Sequence, residues 1–356
     1  MENTLNLNNS LFLKHFYSYI FPFDLNGLDG KTVFITGGTG FFGVWLLSFF
    51  EYINTQYNTQ VIVLSRNPKR FLLKYPQFSN AKWLSWIVGD VVDCQDLDIG
   101  CQYIIHAATP TSIEEHNKYS EMFDTIVAGT KNVLAVAERN NVEKTLLISS
   151  GAVYGPQPIS IRNVSEKHQI SCSTQQIKST YGEGKRCMEM LGSISQFERD
   201  INVNYARCFT FMGPGLPTDG HFAFGNFIHD AISKNFINIQ SDGSAVRSYL
   251  HGADLTVWLL TVLMSGKCNE AYNVGSDQRI SIKELAFKVK KIIAPNINIK
   301  ISNELSNSPT NYSVYVPAID KITALGCKQN ITLEQGILDT HKFEFSKFQS
   351  KITSQL

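Results

Sequence analysis

Hydrophobic residues in the first half of the chain fall into short, nearly unbroken runs rather than alternating with polar ones. The runs are Lys31–Thr36 (KTVFIT), Val61–Leu64, Trp83–Val88, Tyr103–His106 and Thr145–Ser149. A strand that is apolar on both faces needs cover on both faces, which is the condition of parallel strands inside an α/β protein. Between the runs, Phe42–Glu51 and Thr125–Asn140 space their apolar residues as helices do. Strands alternating with helices predict an α/β fold, a doubly wound parallel sheet with right-handed crossovers.

The pattern changes near residue 206. Gly213, Pro214, Gly215 and Pro217 crowd a turn. Helices are predicted beyond it around Phe224–Ser233, Ala253–Met264 and Ile282–Ile293, with a strand and turn at Ile237–Gly243. The expected organisation is an N-terminal helical extension over 1–29, a sheet domain over 30–206 with a return around 246–275, and a smaller lobe over 207–345. The last ten residues are polar and predicted to fray. In the extension, Leu11, Phe12, His15, Phe16, Tyr19 and Ile20 recur at helical spacing until Pro22. An amphipathic helix packed on the body is expected, the alternative being an anchor on a membrane surface. Lys14 and His15 interrupt the apolar run and no basic start precedes it, so it is a poor signal peptide.

Composition narrows the function classes. The chain has 356 residues, 43% hydrophobic and 18% charged, which is globular. No stretch reaches the roughly 18 unbroken apolar residues of a membrane span. A formal net charge of +1 gives no overall field toward nucleic acid or membrane. An anionic ligand must then be held by local geometry. Seven cysteines (94, 101, 172, 187, 208, 268 and 327) are odd in number and form no CxxC pair. They suit free thiols in the cytoplasm, and no metal is expected.

The first strand runs into Gly37-Gly38-Thr39-Gly40-Phe41-Phe42-Gly43 and then a helix. Glycines at 37, 40 and 43 serve a tight turn, a backbone open to a pyrophosphate, and close packing of helix on strand. The helix N-terminus then offers free N–H groups and its positive dipole end to the phosphates. Dinucleotide binding follows, and residues 30–206 read as a Rossmann domain. An NAD site wants a carboxylate after the second strand. Here Ser65-Arg66-Asn67 follows instead, a hydroxyl and a guanidinium that suit a 2′-phosphate. NADP(H) is favoured, with NAD(H) as the alternative. Gly89-Asp90 follows the third strand, where a carboxylate can reach the adenine amino group. His106-Ala107-Ala108 follows the fourth, where small residues let the cofactor lie on the backbone.

Among 14 tyrosines, only Tyr181 has a lysine four residues on, Lys185, which places both on one helix face. A cation beside a phenol favours the phenolate, so Lys185 is expected to tune Tyr181 and to bind the nicotinamide ribose. Ser150, at the end of the fifth strand in SSGAVYG, is placed to polarise the same substrate oxygen.

The set GGTGFFG, GD at 89–90, HAA at 106–108, SSGAVYG, YGEGK, GPG at 213–215, VRSYLHGADL and YNVGS resembles the extended short-chain dehydrogenase/reductase family, in its nucleotide-sugar epimerase/dehydratase branch. The resemblance covers roughly residues 30–340. It implies a catalytic triad of Ser150, Tyr181 and Lys185. It implies cofactor contacts from Gly37, Thr39, Gly40, Phe41, Phe42, Gly43, Ser65, Arg66, Asp90, Val91, Ala107 and Ala108, with Tyr181 and Lys185. A nucleoside-diphosphate sugar would lie in the C-terminal lobe, touched by Thr109, Ser150, Gly151, Ala152, Thr210, Asn226 and Arg247. Asn226 would meet the diphosphate region and Arg247 would pair with the diphosphate. Members pair as homodimers through two helices, for which Glu121–Asn140 and Tyr181–Phe197 are the candidates.

Two departures shape the functional expectation. Members that dehydrate sugars carry an Asp-Glu pair after the triad hydroxyl; here those positions are Gly151 and Ala152, which cannot transfer protons. A 4,6-dehydratase is disfavoured. Cys208-Phe209-Thr210 replaces a segment in which many members have an Asn, and Thr210 is expected to take over its contact. The leading expectation is a reductase of a nucleotide-linked 4-keto-6-deoxysugar. A nucleotide-sugar 4-epimerase with tightly held NAD is the alternative. A non-catalytic dinucleotide sensor is the reading from another class, against which the intact triad argues.

Overall fold

The five apolar runs are parallel strands of one sheet in a computed structural model that describes residues 9–110, 117–158, 160–218, 220, 222–302 and 314–353. They are β1 (Thr32–Thr36), β2 (Gln60–Ser65), β3 (Leu84–Val88), β4 (Tyr103–His106) and β5 (Lys144–Ser150). Two more strands join them, β6 (Val203–Cys208) and Ala271–Val274. The order across the sheet is Ala271–Val274, β6, β5, β4, β1, β2, β3, and every pairing is parallel. The order reverses between β1 and β4, and ligands of such sheets bind at that switch point.

Helices cover both faces, as strands apolar on both sides require. Phe41–Ile53 and Gly252–Ser265 bury Val44, Leu47, Leu255 and Leu259 against one face. Tyr119–Arg139 and Thr180–Arg199 bury Ile126, Val133 and Met188 against the other. A separate apolar cluster holds the lobe. In it the helices Ala223–Ser233, Ile282–Ile293 and Leu333–Thr353 surround a parallel pair of short strands, Phe236–Ile239 and Asn298–Ile301. Ser281 and Glu284 close a reciprocal capping box at the start of Ile282–Ile293.

Several boundaries differ from expectation for physical reasons. Where fraying is expected after residue 346, the helix Leu333–Thr353 continues, pinned by buried Phe343. The sixth and seventh strands escape a hydrophobicity reading because Asn204, Arg207 and Asn273 interrupt them. Asn204 is satisfied inside, donating to the carbonyls of Val262 and Gly266. The strand and turn expected at Ile237–Gly243 are a strand over Phe236–Ile239 followed by bends.

The N-terminal segment lies on the protein itself. Phe12 and Phe16 are fully buried, Phe12 edge-on to Trp45 at 4.8 Å and to Phe343 at 5.5 Å, Phe16 against Phe49 at 5.6 Å. Ile20 departs from the expected buried stripe and is 91% exposed. Among the described residues this helix runs over 9–13 and a tighter turn follows at Phe16–Ser18, so the helical phase is lost before Ile20. Lys14 and His15 both reach Asp339, at 2.5 and 2.7 Å, and the Tyr19 hydroxyl donates to Asp254 at 2.6 Å. His15, His251 and Asp339 converge, their nearest nitrogen and oxygen atoms all within 4.8 Å of one another. Lys14 already neutralises the carboxylate, and His251 Nδ1 accepts the Ala253 N–H, which leaves the ring proton on Nε2. Among the described residues no helix is long and apolar enough to cross a membrane.

Candidate active site

The glycine turn sits at the switch point, and two of its glycines are forced by space. A side chain on Gly37, whose φ is +73°, would begin 2.5 Å from the Ala107 carbonyl carbon, just past the end of the neighbouring β4. One on Gly43 would begin 2.1 Å from the Gly38 backbone. Gly40 caps Phe41–Ile53 without a side-chain acceptor, and Thr39 and Gly40 are exposed. The first-turn amides therefore open at the rim of the sheet. That cradle fits a dinucleotide pyrophosphate, held by backbone N–H groups and the helix dipole.

At the end of β2, the Asn67 side chain accepts from Arg70 N at 3.1 Å and so caps Pro68–Lys74. Ser65 Oγ accepts from Asn67 N at 3.2 Å, and Arg66 beside it is exposed. Asp90 holds the next turn, accepting from Val92 N at 3.3 Å. Val91 turns its side chain inward against Gly129, so only its backbone can face a ligand. Ala107 N and Ala108 N bond to the carbonyl and hydroxyl oxygens of Thr36, at 3.0 and 3.3 Å. His106 is a structural strut: fully buried, it bonds the Thr36 hydroxyl at 2.7 Å. Burial, with Lys185 nearby, pushes its pKa down to about 3.

Ser150, Tyr181 and Lys185 converge beside this cradle. Ser150 ends β5 in extended backbone, its oxygen accepting from Ala152 N at 3.1 Å, and its hydroxyl bonds that of Tyr181. Lys185, 2% exposed, donates to the Ile148 carbonyl at 2.6 Å and to the Thr109 hydroxyl at 2.8 Å. Its ammonium is 5.9 Å from the centre of the Tyr181 ring. The expected activation of Tyr181 toward phenolate is not what this arrangement gives. Burial pushes Tyr181 up to about 12, and the Ser150 hydrogen bond only partly opposes it. Burial pushes Lys185 down to about 7. The phenol is thus held protonated.

The residues expected around the sugar divide into two groups. Thr109 serves Lys185 and the Ala108 carbonyl, and the Thr210 hydroxyl donates to the Ser248 carbonyl, so both hydroxyls are committed within the protein. Arg247 lies near Tyr249 and Tyr315, largely desolvated, with Nη1 on the Val246 carbonyl. Asn226, on Ala223–Ser233 in the lobe, donates to the Gly220 carbonyl. Its buried Oδ1 has no hydrogen-bond partner among the described residues, as a ligand-binding amide would before its ligand arrives.

Two side chains at the centre were not anticipated. The Tyr315 hydroxyl stands 3.4 Å from Ser150 Oγ, and its ring lies 4.7 Å from that of Phe209. A side chain on Gly151 would begin 2.7 Å from Phe209 Cζ and 2.8 Å from the Tyr315 hydroxyl. Tyr315 is far from every motif in sequence, so nothing local points to it. The oddity of glycine beside the triad serine is the trace it leaves.

Comparison with known proteins agrees with this geometry. Residues 33–275 match the NAD dependent epimerase/dehydratase family. UDP-glucuronic acid decarboxylase 2 of Arabidopsis thaliana is 30% identical over 311 residues, covering 86% of this chain and 67% of that protein. UDP-glucuronic acid decarboxylase 1 of Danio rerio is 25% identical over 334 residues, covering 93% of this chain and 77% of that one. Among solved structures, an epimerase of Methanothermobacter thermautotrophicus shares the fold with a TM-score of 0.77 at 21% identity, over 92% of this chain and 96% of its own. UDP-glucuronic acid 4-epimerase of Bacillus cereus, solved with UDP-glucuronic acid and NAD, does so with a TM-score of 0.76 at 18% identity, over 89% and 99%. The chain therefore belongs to the NAD dependent epimerase/dehydratase family, the nucleotide-sugar branch of the extended short-chain dehydrogenases/reductases that its motifs resemble.

Proposed function

We propose that this protein reduces the C4 ketone of a nucleoside-diphosphate 4-keto-6-deoxysugar, with NADP(H) as the favoured cofactor. The observation that carries the reading is the closed space beside Ser150. The two positions after the serine hold no acid or base, and Phe209 and Tyr315 fill the volume a side chain at Gly151 would need. Dehydration needs proton transfer at C5 and C6, and decarboxylation next to a ketone needs a proton returned to C5. Neither Gly151 nor Ala152 can supply one. Hydroxyls and an amine are what the triad offers, which suits oxidoreduction at one carbon.

The dinucleotide, when bound on the glycine turn, supplies the hydride equivalent. The Ser150 hydroxyl donates to the ketone oxygen and holds it toward Tyr181. Tyr181, kept protonated by burial, gives its proton to that oxygen as charge develops there. Lys185, anchored by Ile148 and Thr109, fixes the floor of the site. Arg247 and Asn226 are assigned to the diphosphate, and Ser65 with Arg66 to a 2′-phosphate.

The pairing expected of the family has support on the surface. Met190, Ile194 and Phe197 line one side of Thr180–Arg199 and are 61%, 41% and 87% exposed. We assign this stripe, with the adjoining Tyr119–Arg139, to a homodimer interface.

The test begins with denaturing the purified protein and identifying any released dinucleotide. Absorbance of the reduced nicotinamide is then followed with NADPH and dTDP-4-keto-6-deoxy-D-glucose. Stoichiometric oxidation of NADPH is expected. Retained NAD, no net oxidation and interconversion of UDP-glucose with UDP-galactose would replace the reductase by a 4-epimerase.

A further inference from the structure

Tyr181, Lys185 and Glu189 stand four residues apart along one line of Thr180–Arg199, and the line ends in an ion pair. Arg207 on β6 reaches both oxygens of Glu189, from Nε at 3.0 Å and from Nη2 at 2.7 Å. A guanidinium fork on a carboxylate fixes distance and orientation together. Ser149 donates to the same Glu189 oxygen as Nε, at 2.6 Å. Ser149 immediately precedes Ser150 and is in register with Arg207 on the neighbouring strand.

The chain of contacts continues across the sheet. Arg207 Nη1 donates to the Tyr154 hydroxyl at 2.9 Å, at the end of the Gly151–Tyr154 turn that follows the triad serine. Tyr154 donates to Asn273 Oδ1 at 2.9 Å, and Asn273 is itself in register with Arg207. Its amide holds the carbonyls of Val164 and Ala318. One part-buried network thus ties the Tyr181–Lys185 helix to the strand that ends in Ser150, one residue short of the reacting groups.

We propose that Glu189 and Arg207 are positioning residues for the C4 chemistry, setting the Ser150 strand against the Tyr181–Lys185 helix and keeping a carboxylate beside the Lys185 ammonium. This rests on the reading of Ser150, Tyr181 and Lys185 as the catalytic groups. Groups facing Lys185 are Tyr181 and Glu189 from its own helix, His106 from β4, Cys208 from β6, and the Ile148 carbonyl and Thr109 hydroxyl. Of these, Glu189 favours the charged amine against burial. With Glu189 neutral, Lys185 loses its proton at lower pH, and Arg207 is left as a desolvated charge without its partner.

The experiment compares Glu189→Gln with the unsubstituted protein, using NADPH and dTDP-4-keto-6-deoxy-D-glucose. The amide keeps the shape and one acceptor. We expect kcat to fall by about tenfold or more, KM to stay within about threefold, and the alkaline limb of the pH profile to move down by about one pH unit. The Lys185 titration is also read without substrate, by 13C NMR of labelled lysine ε-carbons assigned with Lys185→Met, and is expected to move the same way. An unchanged kcat with an unmoved titration would overturn the proposal. So would a lower Tm with an unmoved pH limb, which marks a brace of the fold and nothing more. Tyr181→Phe is run in parallel: if it retains full turnover, the catalytic reading itself fails, independently of Glu189.

Discussion

The Lys185 ammonium lies 2.6 Å from the Ile148 carbonyl oxygen, so the one fully buried amine of the site is tied to the strand that carries Ser150. The tie holds the side chain in place, but burial works against its charge, lowering its pKa from an ordinary 10.5 to about 7.

Lys185→Met should therefore change the pH dependence of stability as well as abolish activity. Below about 10.5 the unfolded chain holds the lysine proton while the folded chain does not, so folding is penalised as pH falls. The penalty grows down to about pH 7, where the folded lysine also charges, and is constant below that. The Tm of Lys185→Met relative to the unsubstituted protein should rise as pH is lowered from 10 to 7, then level off. A difference in Tm that does not vary with pH would contradict the buried-charge account.

Arg66→Ala should weaken NADPH binding by about 10- to 100-fold while leaving NADH nearly unaffected, the loss of one charge-assisted contact to a phosphate. Isothermal titration with each dinucleotide decides it. Equal losses for both would place Arg66 on a part common to the two cofactors, and equal affinities before substitution would favour NAD.

The double variant Met190→Glu/Phe197→Glu places two charges on the exposed stripe of Thr180–Arg199 without touching a buried contact. Light scattering coupled to gel filtration should show a monomer where the parent is a dimer, with Tm of the monomer little changed. A parent that is already monomeric would remove this surface from the assignment.

Phe12→Ala tests what the N-terminal segment is for. Phe12 is fully buried among Trp45, Tyr75 and Phe343. Its truncation should cost about 3–5 kcal/mol in denaturant unfolding, as for a large core aromatic. A change below about 1 kcal/mol would mean that the segment leaves the body readily, as a membrane-seeking helix would.

What the sequence reveals here follows from how local each signal is. β1 and the glycine turn are legible because the left-handed φ of Gly37 and the contact of Gly43 with Gly38 are local constraints that leave glycine as the fit. The strands covered on both faces show as apolar runs for the same reason. β6 and Ala271–Val274 do not, since they carry buried Asn204 and Asn273 and part-buried Arg207, whose partners come from distant segments. At the site, spacing exposes Tyr181 and Lys185 but says nothing of Tyr315, brought in from over 160 residues away from Ser150. A sequence gives the neighbours of Tyr181 but not its burial, and burial dominates there.

Gly151→Ala is the sharpest probe of the closed pocket. A methyl group there would begin 2.7 Å from Phe209 Cζ and 2.8 Å from the Tyr315 hydroxyl, both closer than side chains pack. Something must move, and each candidate bears on the chemistry: Tyr315 approaches Ser150, and Phe209 follows Cys208, which is paired with Ser150 across the sheet. Activity should fall by about 100-fold, the scale of a displacement near 1 Å at a reacting group. Phe209→Leu shortens the ring that the methyl meets first. Combined with Gly151→Ala it should recover at least about tenfold of that loss, although alone it only weakens packing. Such coupling is expected of side chains that contact one another and not of independent sites. If the two losses simply add, the contact is not what excludes a side chain at 151, and the closed space no longer favours a reductase.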